Sequence, residues 1–276
     1  MPTFRGGQSH LMKHNKGKGN AMKLAISGLG FSKEEIQKRK QLGKLFDTWL
    51  KRMLDAGMPN DWEHSFVPDG FYPGYLSQKL RVLFIGREPH HLSGDDYVET
   101  LLNTYYEKKS LNRSRFLSLL MYVTYGLMTG MRNYGKIPCA TEIAETFGKP
   151  NGISFAFMNL SKLSNQKGWT TDWKQINDFL QYSQGATNLL NQEIAILAPD
   201  LIVTMNLGGH LYDLGEIAYV YTKNDDVAVL ELAAGDTKIP VFDTYHFSAP
   251  GKSPDADIFT PLMKEIDRYM KRRCRK

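Results

Sequence analysis

A candidate buried strand runs directly into a group of titratable side chains in the stretch FIGREPHH, residues 84–91. The apolar residues stop at Gly86, and the residues that follow are Arg87, Glu88, Pro89, His90 and His91. Carboxylate and imidazole groups are suited to general acid–base catalysis, and to the electrostatic stabilisation of charge that develops during a reaction. The stretch therefore predicts a functional site at the end of a strand.

Polar residues also follow three later apolar runs, which end near residues 158, 205 and 245. The residues at these ends are Asn159 and Ser161, then Asn206 to His210, then His246, Phe247 and Ser248. In open α/β sheets, ligands bind beyond the carboxyl ends of the parallel strands. If these runs are parallel strands, their polar ends meet along one edge of the sheet and form a single cleft.

The pattern of the whole chain supports such a sheet. Strand candidates lie at 81–85, 153–158, 201–205 and 240–245, with an irregular strand or turn at 228–235. Helical patterns lie at 32–56, 112–131, 189–197 and 258–272, and residues 58–79 are predicted to form a loop. Near-continuous apolar strands alternating with helices indicate strands that are buried on both faces. We predict an α/β fold, a three-layer α/β/α sandwich with a central, mostly parallel four-stranded sheet.

The chain of 276 residues suits one large domain, so 32–276 is predicted to be a single domain. Residues 1–31 are predicted to be a flexible basic extension, and the first helix is predicted to be an N-terminal helical extension of the sandwich. The capping box at Ser32 and Glu35 marks where that helix begins.

Composition excludes several classes of protein. The two cysteines, Cys139 and Cys274, cannot supply a disulfide framework or a four-cysteine metal site, and their scarcity fits the cytoplasm. No run reaches the roughly 18 apolar residues of a membrane span, and no signal peptide is recognised. Residues 1–40 carry a net charge of +7 and residues 271–276 carry +5, so 41–270 carry −6. Basic ends of this kind can bind a phosphate backbone or simply stay solvated.

Three of the strand ends resemble, in order, the motifs of the uracil-DNA glycosylase superfamily. Residues 86–91 (GREPHH) resemble its first motif, which reads G-Q-D-P-Y-H in one branch and G-x-N-P-G in others. Residues 157–164 (FMNLSKLS) resemble L-L-L-N-x-x-L-T, and residues 246–250 (HFSAP) resemble H-P-S-P. The resemblance covers about 78–265. It implies a domain of that fold that removes uracil or another damaged base from single- or double-stranded DNA without a cofactor.

The resemblance also implies roles for individual residues. Glu88 would stabilise positive charge on the sugar or activate a water, and His246 would donate a hydrogen bond to the departing base. Asn159 would read the base through its amide. Further candidates for base binding are His90, His91 and Tyr97, with Tyr105 and Tyr106 as alternative stacking rings. Candidates for phosphate or DNA contact are Gly86, Arg87, Phe247 and Ser248, with Phe247 also placed to act as a wedge or a stacking ring.

The chain departs from the motifs at three positions. Glu88 stands where the family has Asp or Asn, His90 where one branch has Tyr, and Phe247 where the family has Pro. Two other functions therefore remain open: a non-catalytic module that binds nucleic acid or a nucleotide, and a glycosidase that acts on a small nucleoside. The sequence indicates no membrane association and no obligate protein partner.

Simpler structural roles also remain open at these positions. Glu88 can pair with Arg87 or Lys162, and Asn159 can cap the turn after its strand. A metal site formed by His90 and His91 with His210 or His246 lacks regular ligand spacing, and none is predicted.

Overall fold

The computed structural model describes residues 24, 28–58, 65–107, 111–223 and 227–273, without the side chains of 105–107 and 222–223. The helices are α1 (Lys33–Asp55), α2 (Tyr97–Glu107), α3 (Arg115–Thr129), α4 (Ala140–Ile143), α5 (Trp173–Ser183), α6 (Leu189–Leu197) and α7 (Thr260–Arg273). The strands are β1 (Gly70–Phe71), β2 (Val82–Gly86), β3 (Ala156–Asn159), β4 (Leu201–Met205), β5 (Ile217–Lys223), β6 (Val227–Ala234) and β7 (Thr237–Thr244). A 3₁₀ helix spans Gly208–Leu214, and a π-helical turn, Pro254–Phe259, leads into α7.

In the described part of the chain the sheet has seven strands, in the order β1-β3-β2-β4-β7-β6-β5. The four predicted strands are its parallel centre, because β3, β2, β4 and β7 pair in parallel. The prediction of four strands is wrong because β1, β5 and β6 extend this centre on both sides in antiparallel pairing. The fold is therefore a mixed α/β fold.

The missed strands have weak sequence signals. β1 is only two residues long and lies within the predicted loop, where Gly70 pairs with Phe157 of β3. β6 is a regular strand whose register with β7 is continuous from Ala228 to Ala234, rather than an irregular strand or turn. β5 is the edge strand beside β6 and leaves Tyr219 and Val220 exposed, so it lacks the apolar run of a central strand.

Helix α1 begins where its capping residues predict. The Ser32 side chain accepts a hydrogen bond from the Glu35 N–H, and the Glu35 carboxylate accepts one from the Ser32 N–H. Helix α6 has the predicted bounds, and the ends of α3 and α7 lie within three residues of theirs. Helices α2, α4 and α5 were not predicted.

Two apolar clusters lie on opposite faces of the sheet, because successive residues of β2 point in opposite directions. Val82 and Phe84 belong to one cluster, with residues of α2, α3 and α7. Leu83 and Ile85 belong to the other, with residues of α1, α5 and α6. Burial on both faces explains why the central strands are continuously apolar.

The last residues of the predicted N-terminal extension belong to this folded body. Leu24 is buried, and the ring of Phe31 packs edge-on against Phe71 with 5.8 Å between ring centres. The rest of that prediction lies outside the described residues. Among the helices that the structure describes, none is both long and apolar enough to cross a bilayer.

Candidate functional site

The strand ends meet as the parallel order requires. Gly86 of β2 lies beside Asn159 of β3, and Met205 of β4 lies beside Thr244 of β7. The segments that follow these residues therefore share one edge of the sheet. This edge carries nearly all of the candidate residues.

The side chain of Asn159 lies against Gly86, where no larger residue fits. A Cβ atom at position 86 would lie 2.7 Å from Asn159 Oδ1 and 2.9 Å from a ring carbon of Phe157. Asn159 is buried, and its amide makes no hydrogen bond to any residue that the structure describes. The side-chain amide therefore does not cap a described turn. Its N–H donors and its oxygen acceptor have no hydrogen-bond partner among the described residues and could bind a ligand.

A buried charge cluster, formed by Asp69, Lys162 and Glu193, holds the backbone of Asn159. Asp69 Oδ2 accepts a hydrogen bond from the Asn159 N–H at 2.7 Å, and Lys162 Nζ donates to the Asn159 carbonyl at 2.9 Å. Lys162 Nζ also lies 2.8 Å from Asp69 Oδ1 and 2.8 Å from Glu193 Oε2. Because the cluster holds both the backbone N–H and the backbone carbonyl of Asn159, the position of the Asn159 side chain depends on this cluster.

One positive charge faces two carboxylates in this cluster, so a proton is needed to balance it. Burial and the neighbouring Asp69 raise the pKa of Glu193 well above its usual value. Burial lowers the pKa of Lys162, but Asp69 and Glu193 more than offset that effect and leave it raised. The raised pKa of Glu193 favours its protonated form, and the two carboxylates favour the cationic form of Lys162.

The side chain of Glu88 is fully buried and joins the two ends of the loop 165–172 by hydrogen bonds. Its Oε1 atom accepts hydrogen bonds from Asn165 Nδ2 at 3.0 Å and from the Asp172 N–H at 2.8 Å. Its Oε2 atom has no partner among the described residues, and His90 Nε2 lies 3.9 Å from Oε1. Lys162 pairs with Asp69 and Glu193 instead, so Glu88 is a loop-fixing group with one uncommitted oxygen.

His246 lies partly buried after β7, with its tautomer set by Ser248. The Ser248 N–H donates to His246 Nδ1 at 3.2 Å, and the Ser248 hydroxyl lies 2.8 Å from the same atom. Because a backbone N–H only donates, Nδ1 must be the unprotonated nitrogen, and Nε2 carries the proton. Burial, followed by the charges of Arg87, His90 and Arg115, lowers the pKa of His246 to about 4. The imidazole is therefore a neutral Nε2–H donor at pH 7.

This state can be tested by NMR titration. We expect the ring resonances of His246, assigned by their loss in His246→Gln, to titrate near pH 4 rather than near 6.5. The folded state favours the neutral ring, so protonation of His246 lowers the free energy of unfolding. This loss grows as the pH falls from about 6.5 to about 4. A midpoint for His246 at or above 6.5 would contradict the assignment.

Arg115, the first residue of α3, holds the loop that carries His246. Its Nε donates to the Phe247 carbonyl at 2.9 Å and its Nη1 donates to the Lys252 carbonyl at 2.6 Å. Its Nη2 also donates to the Ala249 carbonyl. Sequence reasoning missed Arg115, although a cation in the first turn of a helix is electrostatically unfavourable and indicates another role.

Arg87 lies at the mouth of the site beside an open depression of about 400 Å³, which is also lined by Trp173 and residues 206–210. Its guanidinium donates to Thr171 Oγ1 and to the Asn206 carbonyl, and lies 5.0 Å from the centre of the Trp173 ring. No carboxylate of the described residues lies within ion-pair distance of Arg87. The guanidinium thus has no direct carboxylate partner in that part of the chain, which suits it to bind an anion.

The aromatic candidates take roles that the sequence did not show. Phe247 is wholly buried, with its ring 5.9 Å from that of Phe84, so in this structure it is a core residue and not an exposed wedge. Tyr97 is buried and stacks on Phe157, so its ring is a support beneath the site rather than an open surface. Phe116 is only partly buried, stacks on His246 at 5.7 Å, and was missed because nothing distinguishes it within an apolar helix.

The remaining candidates are distributed around this edge. His90 Nδ1 lies 2.9 Å from the Gly168 carbonyl, and His91 is exposed beside it. Ser248 is exposed but its hydroxyl is close to His246, and Gly86 allows the Asn159 side chain to approach the backbone closely.

His210 stacks on Trp173 at 5.0 Å and pairs with Asp213. Within the described ranges, no three His, Cys, Asp or Glu residues are placed to bind a metal. The side chains of Tyr105 and Tyr106 lie outside the described set.

The sequence matches no model of a known protein family, and no curated protein matches it either. Functional inference therefore depends on the residues themselves.

Proposed function

We propose that the protein recognises a nucleobase at this strand-end site and hydrolyses the N-glycosidic bond of uracil or another damaged base in DNA, as uracil-DNA glycosylases do. The observation that carries the proposal is the neutral His246 with its proton on Nε2, at the same edge of the sheet as Glu88 and Asn159. In this proposal the helices form the three-layer arrangement of that superfamily. The scarcity of cysteine supports action in the cytoplasm.

Cleavage of the bond places negative charge on the departing base and positive charge on the sugar. An Nε2–H donor aimed at a base oxygen strengthens its hydrogen bond as that charge develops, and it does so without transferring a proton. A lowered pKa is an advantage here because the same tautomer persists across the neutral pH range. This supports a role for His246 as donor to the departing base.

Asn159 and Glu88 supply the other two requirements. The uncommitted amide of Asn159 can present a donor and an acceptor to the edge of a planar base, held rigid by its backbone partners. The uncommitted Oε2 of Glu88 can accept a hydrogen bond from an attacking water while Oε1 retains its loop contacts. Together these groups provide the base reader, the donor and the carboxylate that hydrolysis needs.

The test is an excision screen. Single- and double-stranded oligonucleotides, each carrying one uracil or one other modified base, are incubated with the full chain and scored by strand scission after alkali. Free nucleosides, scored by released base, separate a nucleosidase from an enzyme that acts on the polymer. Unmodified oligonucleotides are the control, and absence of scission or base release on every substrate would contradict the proposal.

The two functions of Glu88 can be separated by a pair of variants. Glu88→Gln keeps an oxygen that accepts from Asn165 and Asp172 but removes the charge, so excision should fall by about 100-fold or more with little change in melting temperature. Glu88→Ala should lose excision and also the loop contacts, so its melting temperature should fall. Single-turnover excision and thermal unfolding measure these effects. Wild-type excision by Glu88→Gln would remove the carboxylate from the mechanism.

The burial of Glu88 favours one alternative, a base-binding module of the same fold that does not catalyse hydrolysis. A carboxylate whose side chain has no exposed surface and which already accepts two hydrogen bonds is a normal structural group. In that case Glu88→Ala should retain salt-dependent DNA binding. Binding that disappears when residues 1–31 and 271–276 are removed would assign the affinity to the basic ends.

A further inference from the structure

The loop 165–172 presents an unusually exposed ring next to the site. The Trp169 side chain is 81% exposed, the largest exposure among the large hydrophobic residues that the structure describes. Tryptophan carries a large apolar surface that folded proteins normally cover. An indole left open beside a candidate binding cleft is therefore a candidate contact surface for a ligand.

The loop that carries Trp169 is firmly held despite this exposure. Asn165 Nδ2 bridges Glu88 Oε1 and the Thr170 carbonyl, at 3.0 and 2.8 Å, and the Asp172 N–H donates to the same Glu88 oxygen. His90 Nδ1 lies 2.9 Å from the Gly168 carbonyl. Both ends of the loop and the residue before Trp169 are thus anchored to the segment after β2. Such fixing lowers the entropy that the ring would lose on binding.

Two histidines support the ring from one side. The His91 ring meets Trp169 edge-on at 4.7 Å, and the His90 ring lies 5.7 Å away at an interplanar angle of 30°. Asn165 also accepts a hydrogen bond from the His91 N–H, which fixes the backbone of this group. The three rings form a surface patch, Trp169 with His90 and His91, that presents aromatic faces rather than aliphatic side chains.

The patch adjoins the site directly. His90 Nε2 lies 3.9 Å from Glu88 Oε1, so a single side chain separates Trp169 from the candidate carboxylate. The nearby cations are Arg87, which lacks an ion-pair partner among the described residues, and Lys167, whose pair with Asp172 is at the surface and weak. Exposed aromatic faces combined with positive charge are the features that bind single-stranded nucleic acid.

We propose that Trp169, supported by His90 and His91, is a stacking platform for an unpaired nucleobase next to the nucleotide held in the strand-end site. This inference rests on the proposed function for its location and goes beyond it by assigning a second base subsite and a preference for unpaired strands. The platform takes the stacking role that the sequence suggested for Phe247, whose ring is buried.

The test is oligonucleotide binding with unmodified bases, so that no excision is needed. The full chain is titrated with a single-stranded oligothymidylate, and dissociation constants come from fluorescence anisotropy of the labelled oligonucleotide. Trp169→Ala should weaken binding by about tenfold, and Trp169→Phe should recover most of the loss because it keeps a stacking ring. Tyr219→Ala is the matched control, since it removes another exposed ring, 61% exposed, on the edge strand β5. That control should bind as the wild type does.

The outcomes separate the two proposals. Weaker binding by Trp169→Ala with recovery by Trp169→Phe supports the platform, even if no substrate is ever excised. Equal binding by wild type and Trp169→Ala, or no binding by wild type, overturns the platform even if excision is observed. A blue shift of Trp169 fluorescence on phosphatidylserine vesicles, with no effect of Trp169→Ala on the oligonucleotide, would assign the ring to a lipid surface and also overturn it.

Discussion

Replacement of His246 by alanine is expected to lower the single-turnover rate of base excision by about 10²–10³-fold. This is the usual cost of removing one hydrogen-bond donor from a site that stabilises developing negative charge. The loss should appear in the rate at saturating enzyme, because the donor acts more strongly on the departing base than on the intact substrate. The measurement is excision of the best substrate from the screen, followed by alkaline scission.

The pH dependence provides the control for this effect. Because the pKa of His246 is lowered to about 4, His246 stays neutral from about pH 5 upward, and the wild-type rate should show no ionisation of this group near 6.5. A melting temperature for His246→Ala close to that of the wild type would show that the loss is chemical. An alanine variant that retains the wild-type rate would remove His246 from the mechanism.

The largest effect on stability is expected at Lys162. Lys162→Met removes the cation of the buried cluster and leaves the Asp69 carboxylate without a positive partner, which typically costs about 3–5 kcal/mol. For a chain of this size the loss corresponds to a fall in melting temperature of about 5–10 °C. Excision or base binding should also weaken in the folded variant, because Lys162 holds the carbonyl of Asn159. Thermal and urea unfolding measure the first effect.

Glu193→Gln is the matched control for the cluster. Because burial and Asp69 favour the protonated form of Glu193, an amide of the same shape should change the free energy of unfolding by about 1 kcal/mol or less. The contrast between the two variants tests the charge assignment directly. A Glu193→Gln variant as unstable as Lys162→Met would show that Glu193 is ionised in the folded protein.

Local signals in the sequence were sufficient for the centre of the fold. The run Leu201–Met205 and the capping box at Ser32 identify β4 and the start of α1, because apolar continuity and capping chemistry act within a few residues. The parallel alternation also placed residues 86–91, 159 and 246–248 at one edge of the sheet. β1 and β5 have no such signal. β1 has only two residues and β5 is an exposed edge strand, so each is a strand only because it pairs with the next strand of the sheet, β3 or β6.

The sequence by itself determined which residue types stand at the strand ends, whereas the tertiary structure decided what each one does there. Whether a side chain is buried or open depends on partners far along the chain. Phe247 became a core residue through Phe84, Lys162 was paired with Asp69 and Glu193, and Trp169 was left open on its anchored loop. Burial and pairing are properties of contacts between distant segments, and so no local pattern of residues could predict them.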